Sequence, residues 1–196
     1  MKNFRLTTFL TSNVTGIDNE SLNLLFDKCS LKKYKGGEYL IQPDENCQHS
    51  FFVEKGLLRQ YAIDKKGKEH TIQFAPEGWL MTDRESVFFS EPSKYYIQAI
   101  EDSTVLMIEP KVFEALAKEN KSFQRFNNRL LQNHIRQLQY RINLLLSATA
   151  EERYLDFIKT YPDILLRVPQ TMVATYLGIA PESLSRVRKN LANKSS

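Results

Sequence analysis

A chain of 196 residues, 42% hydrophobic and 26% charged, holds too much apolar material to stay disordered and is long enough for one or two globular domains. Its apolar runs are short, such as Leu144-Leu145-Leu146, against the roughly 20 residues of a membrane span, and no signal-peptide pattern opens it, so a soluble cytoplasmic protein without membrane contact is expected. The net charge of +4 is unevenly spread: residues 1–120 carry 15 basic and 18 acidic side chains, residues 121–196 carry 12 and 5. No acid falls between Lys121 and Ala150. A basic back half is where a polyanion would be met, although a solvated face has the same composition. Cys29 and Cys47 fit neither a zinc ribbon nor a CxxC redox pair, which predicts two reduced structural thiols.

In chain order, residues 4–29 read as short helices, with Asp18 or Asn19 placed to cap one that runs through Leu22, Leu25 and Phe26. After Ser30, short β-type runs appear at 39–41, 51–53, 57–63, 71–74, 95–100 and 105–108, separated by Gly-, Pro- and Asp-containing turns. About eight short strands at even spacing predict an antiparallel barrel, sandwich or roll. Asp64-Lys65-Lys66-Gly67 predicts a hairpin.

Past Pro110 the strand pattern stops, and residues 111–149 contain no Pro or Gly. Leu131, Ile135, Leu138, Ile142 and Leu145 follow one another at spacings of 4, 3, 4 and 3, the seam of a helix that packs on another helix. A helix over 121–146 would run roughly 39 Å, too long to bury its stripe on a small β unit. Two readings follow, a helix lying along the barrel and self-association through the seam; the second is the more economical. Another helix begins at Glu151, runs through Tyr154, Phe157 and Ile158, and stops at Tyr161-Pro162.

Residues 170–189 carry the most informative pattern. Val173 and small Ala174 sit in a first helix, Gly178 permits a sharp left-handed turn, and Pro181 opens a second helix with Leu184 and Val187 inward. Glu182, Ser183, Ser185, Arg186, Arg188 and Lys189 are left outward, side chains suited to base edges and phosphates. This predicts a helix-turn-helix; a plain helical hairpin is the alternative.

The order of parts resembles the CRP/FNR family of bacterial transcription regulators. The matching residues are Gly37-Glu38-Tyr39-Leu40, Pro43-Asp44-Glu45, the run from Phe51 through Gly56, and 170–189, where Glu182, Ser185 and Arg186 stand at the FNR branch's base-reading positions. The resemblance implies an α+β fold. Residues 1–109 would form an antiparallel β-roll like a cyclic-nucleotide-binding domain, 110–146 a dimerisation helix, and 147–196 a helix-turn-helix domain. Its wing is expected to be reduced or absent, because only 162–169 separate the two flanking helices. It further implies a homodimer on a pseudo-palindromic site in double-stranded DNA, and leaves RNA polymerase and an unidentified small-molecule effector open as partners. The family's phosphate cassette is altered: Thr82-Asp83-Arg84 stands at its Gly-Glu-Leu turn and Ser93 at its Arg, with Tyr95 and Tyr96 behind. Cyclic AMP or cyclic GMP binding in the usual mode is therefore not expected, and the lining of any remaining pocket is expected from Asp83, Arg84, Ser93 and Lys94. An iron–sulfur sensor needs four cysteines, so no cluster, no metal site and no other cofactor is expected.

Two further functions compete. A ligand-sensing module acting through protein contacts would expose apolar residues on the last helix, where this chain exposes arginines, lysine and serines. An enzyme would need a catalytic constellation, and no HExxH, GxSxG or P-loop is found.

Overall fold

The computed structural model describes residues 4–194. The chain divides into two compact units, one of residues 1–60 and 74–133, the other of 61–73 and 134–196.

The first unit opens with helices α1 (Arg5–Asn13) and α2 (Asn19–Asp27). Asp18 caps α2, its carboxylate accepting from the Ser21 amide at 2.7 Å. Eight strands follow: β1 (Cys29–Tyr34), β2 (Tyr39–Ile41), β3 (Ser50–Lys55), β4 (Leu58–Ile63), β5 (Glu69–Ala75), β6 (Leu80–Met81), β7 (Tyr96–Ala99) and β8 (Ser103–Ile108). They form two four-stranded sheets, in the orders β1-β8-β3-β6 and β2-β7-β4-β5. In the first, β8 is flanked antiparallel on both sides, with Ile108 opposite Cys29 and Ser50, and Val105 opposite Lys32 and Val53.

The alternation of side chains along β3 and β8 explains their unbroken apolar runs. Phe51, Val53 and Val105 join one core with Leu58, Ile97 and Ala99 of the second sheet. Their neighbours Phe52, Leu106 and Ile108 join another with Leu10, Leu22 and Leu25 of the N-terminal helices and Leu116, Phe123 and Phe126 downstream. A sheet covered on both faces needs apolar residues at consecutive positions.

Three elements depart from the sequence-based expectation. β1 reads Cys-Ser-Leu-Lys-Lys-Tyr with four exposed residues in its middle, and only its pairing with β8 makes it a strand. Residues 84–89, which lie between two β-type runs and are predicted as neither strand nor helix, form the short helix α3 (Arg84–Phe89). The stretch 110–146, expected as a dimerisation helix, holds two, α4 (Pro110–Glu119) and α5 (Lys121–Ser147), the second of which matches the helix expected over 121–146. Asn120 makes the break: its backbone is extended, and its side-chain oxygen accepts from the amides of Ser122 at 2.9 Å and Phe123 at 3.0 Å, capping the new helix. The remaining 27 residues of α5 run about 40 Å.

The second unit holds the tip of the β4–β5 hairpin, the end of α5, and helices α6 (Ala150–Thr160), α7 (Gln170–Leu177) and α8 (Pro181–Lys194). Thr149 and Glu152 build a capping box at the start of α6. Its core is Tyr154, Phe157, Tyr161, Ile164, Val173, Ala174, Leu177 and Leu184, all buried. Phe157, Tyr161 and Tyr176 stack around one another with ring centres 5.2–5.6 Å apart. Between α6 and α7 lies a single 3-10 turn (Ile164–Leu166), and no strand occupies the place of a wing.

Candidate nucleic-acid interface

Helices α7 and α8 are held together by small and apolar residues at their crossing. Ala174 is fully buried, and Leu184 of α8 is 1% exposed. Gly178 caps α7 in the left-handed region, at φ 68°, with its amide directed to Ala174 O. The Ile179 amide reaches the same oxygen at 3.1 Å. Pro181 then starts α8 where no amide proton is needed.

The last carbonyls of α7 are taken by two arginines from other helices. Arg141 of α5 donates from Nη2 to Tyr176 O at 2.9 Å, and its guanidinium lies 3.6 Å from the centre of the Tyr176 ring. Arg153 of α6 donates from Nη1 to Leu177 O at 2.8 Å and from Nε to Ala148 O at 3.2 Å. A helix end has unpaired carbonyls and partial negative charge, and the two cations answer both. Sequence reasoning counted Arg141 and Arg153 only as charge, because no local pattern shows that they reach a helix 35 and 24 residues away.

The outward side of α8 carries Glu182, Ser185, Arg186, Arg188 and Lys189, all exposed. Glu182, Arg186 and Lys189 follow at i, i+4 and i+7, so they line one face. Among the described residues none of Arg186, Arg188 and Lys189 is engaged in an ion pair. Ser183 departs from expectation: it is half-buried beside Leu184 and Val187 on the inner side.

On α5, Leu131, Ile135, Leu138 and Leu145 are 40–42% exposed and Ile142 56%. An apolar stripe at heptad spacing is thus open in the single chain.

Three of the four residues expected to line a ligand pocket, Asp83, Ser93 and Lys94, have hydrogen-bond or ion-pair partners within the chain. Asp83 is buried and caps α3, with Oδ1 accepting from the Ser86 amide and Oδ2 lacking a hydrogen-bond partner. The Ser93 hydroxyl is buried and folded back on Tyr95, donating to its carbonyl at 3.0 Å and accepting from its amide at 3.1 Å. Lys94 reaches Glu85 at 2.7 Å and Glu91 at 3.7 Å. Arg84 lies 5.7 Å from the Phe88 ring centre. The lysine is thus paired with acids and the serine with backbone. A cleft of about 610 Å³ nearby is lined instead by Cys47, Ser86, Phe88, Glu109, Lys111 and Glu114, among others.

The thiols are poor ligands or nucleophiles: burial pushes Cys29 up to about 12 and Cys47 up to about 11. Among the described residues no cluster of three or more His, Cys, Asp or Glu side chains could hold a metal, and no helix is long and apolar enough to cross a membrane.

Comparison with known proteins agrees with this geometry. Residues 31–120 match the cyclic nucleotide-binding domain. The chain is 26% identical to the transcriptional activator protein Anr of Pseudomonas aeruginosa, over 78% of this chain and 66% of that protein, so the match spans just under two thirds of the relative's length. Anr of Pseudomonas protegens is 25% identical over the same shares. The fold is shared with FixK2 from Bradyrhizobium japonicum at a TM-score of 0.72 and 22% identity, over 85% of this chain and 86% of that one. It is shared with the c-di-GMP responsive regulator CLP of Xanthomonas campestris at a TM-score of 0.69 and 13% identity, over 91% and 93%. Both sequence relatives are transcriptional activator proteins. By kinship, domain match and fold together, the chain is similar to transcription regulators of the CRP/FNR kind.

Proposed function

We propose that this protein binds DNA sequence-specifically as a homodimer and regulates transcription in the cytoplasm. The observation that carries the reading is the outward face of α8, where Glu182, Ser185, Arg186, Arg188 and Lys189 stand exposed over a helix fixed by buried Leu184. Arg186 can present two parallel donors to guanine O6 and N7, Glu182 can accept from a cytosine amino group, and Ser185 makes a shorter contact. Arg188 and Lys189 address phosphates; Ser183, being half-buried, is the least suited of the six. A module working through protein contacts would turn apolar residues outward here. The open stripe on α5 supports pairing with a second copy, which would give two reading helices and a pseudo-palindromic site with half-sites about 34 Å apart.

The roll is proposed to have given up cyclic-nucleotide binding in its usual mode. Support comes from Ser93 standing where the phosphate-binding Arg would be, its hydroxyl already used, and from Lys94 being paired with Glu85. Selection of duplexes from a random pool with the purified protein tests the central claim. Enrichment of a two-fold symmetric motif is expected; recovery of unenriched sequence would overturn it.

A further inference from the structure

The DNA-reading helices are tied to the β4–β5 hairpin by one side chain. Arg141 Nη2, which donates to Tyr176 O at 2.9 Å, also donates to Thr71 O in β5 at 3.1 Å. Its guanidinium stacks on the Tyr176 ring, so both its plane and its donors are used by one junction. Beside it the Thr71 and Thr175 hydroxyls lie 2.7 Å apart. Thr175 also donates to Met172 O at 2.8 Å. Thr71 is 3% exposed and Arg141 half-buried, which shields these bonds from competing water. The junction joins three segments that are distant in sequence, 69–75, α5 and α7.

We infer that Arg141 is a positioning residue for DNA reading: it and the Thr71–Thr175 pair hold α7 on the hairpin, and thereby hold α8 at the orientation in which several side chains meet base edges together. This rests on the DNA-binding function proposed above. Phosphate contacts tolerate a tilt of the helix because they come from long flexible cations. Base contacts do not, since the forked donors of Arg186 need a fixed approach. Loosening the junction should therefore cost specific binding and spare non-specific binding. Arg141→Lys tests the fork and the stacking with the charge retained, and Thr71→Val tests the neighbouring hydrogen bond without touching a charge.

Each variant, shown by thermal unfolding to be folded, is titrated with a duplex carrying the selected site and with a scrambled duplex over a range of salt. Both should bind the selected site about tenfold more weakly, with preference lost at several bases at once. Affinity for the scrambled duplex and the salt slope should stay as in the parent protein. Specific affinity unchanged within twofold in both folded variants would overturn the inference, as would an equal loss on both duplexes. A parent protein that selects no sequence would instead overturn the DNA-binding function itself.

Discussion

Arg186 and Lys189 lie one turn apart on the exposed side of α8, yet they should behave differently. Arg186→Ala removes a bidentate base contact, so it should cost about 1–3 kcal/mol on the selected site and flatten preference at one base pair. Lys189→Ala removes a phosphate contact. It should weaken all duplexes alike and lower the salt slope by about one unit, measurable by titration at several ionic strengths. Two glycines separate strain from clash. At Gly178, φ is 68° but an added methyl would meet only Leu145 and Arg153 at ordinary contact distances, so Gly178→Ala should cost about 1–2 kcal/mol. At Gly56, φ is 95° and the methyl would overlap Ser103, whose Cα would stand 2.7 Å away. Gly56→Ala should therefore cost about 3 kcal/mol or more, and denaturant unfolding of the two variants should rank them so.

Among elements, α5 carries the clearest expectation. Ile135 and Ile142 stand on its open stripe, and replacing both by Asp would put charges where a partner helix should bury them. Sedimentation should show a monomer for Ile135→Asp with Ile142→Asp and a dimer for the parent; a parent protein that is monomeric at micromolar concentration would count against the seam. The β4–β5 hairpin has its own pH response. Asp64 bonds His70 Nε2 at 2.9 Å and accepts from the amides of Lys66 at 2.8 Å and Lys68 at 3.0 Å. The His70 bond first, then those amides, hold its carboxyl down to about 2. A lowered carboxyl favours the ordered turn above the unfolded value near 3.9 and ceases to do so as pH falls through about 2. Protection of the Lys66 and Lys68 amides from exchange, taken relative to the intrinsic rate at each pH, should thus hold at pH 5 and fall progressively between pH 4 and about 2. Asp64→Ala should show the lowered protection at every pH.

At the scale of the molecule, an acidic first part is followed by a basic second part. Residues 1–120 carry three more acids than bases, and residues 121–196 seven more bases than acids. On α8 of the second part, Arg186, Arg188 and Lys189 make no ion pair among the described residues. DNA affinity should therefore fall steeply with salt. The cassette region makes the opposite kind of expectation: calorimetry with cyclic AMP should show no binding at micromolar concentration. Heat of binding there would mean that Ser93 and Lys94 give up their present partners, Tyr95, Glu85 and Glu91, to a phosphate.

The residues alone determined whatever depends on local periodicity and turn chemistry. The spacing of Leu131 through Leu145, the hairpin at 64–67, and the Ala174, Gly178, Pro181 series announce a long helix, a β-turn and a helix-turn-helix, because each is built from neighbours in the chain. They also suggested which side of α8 faces out, except at Ser183, where a polar side chain is half-buried on the inner side. Only the folded chain decided the rest. The Lys-rich segment 29–34 becomes a strand because β8 offers it hydrogen bonds, and no apolar alternation marks it in advance. The break at Asn120 depends on a side chain preferring two amides to solvent, in a stretch with neither Pro nor Gly. Ser93 and Lys94 stand at the altered cassette, but the partners they take there, the Tyr95 backbone and Glu85, appear only in the folded chain. Arg141 reads in the sequence as one more positive charge on a basic helix. Its two carbonyls and its aromatic ring come from segments 70 and 35 residues away, and bonds of that kind exist only once the chain has closed on itself.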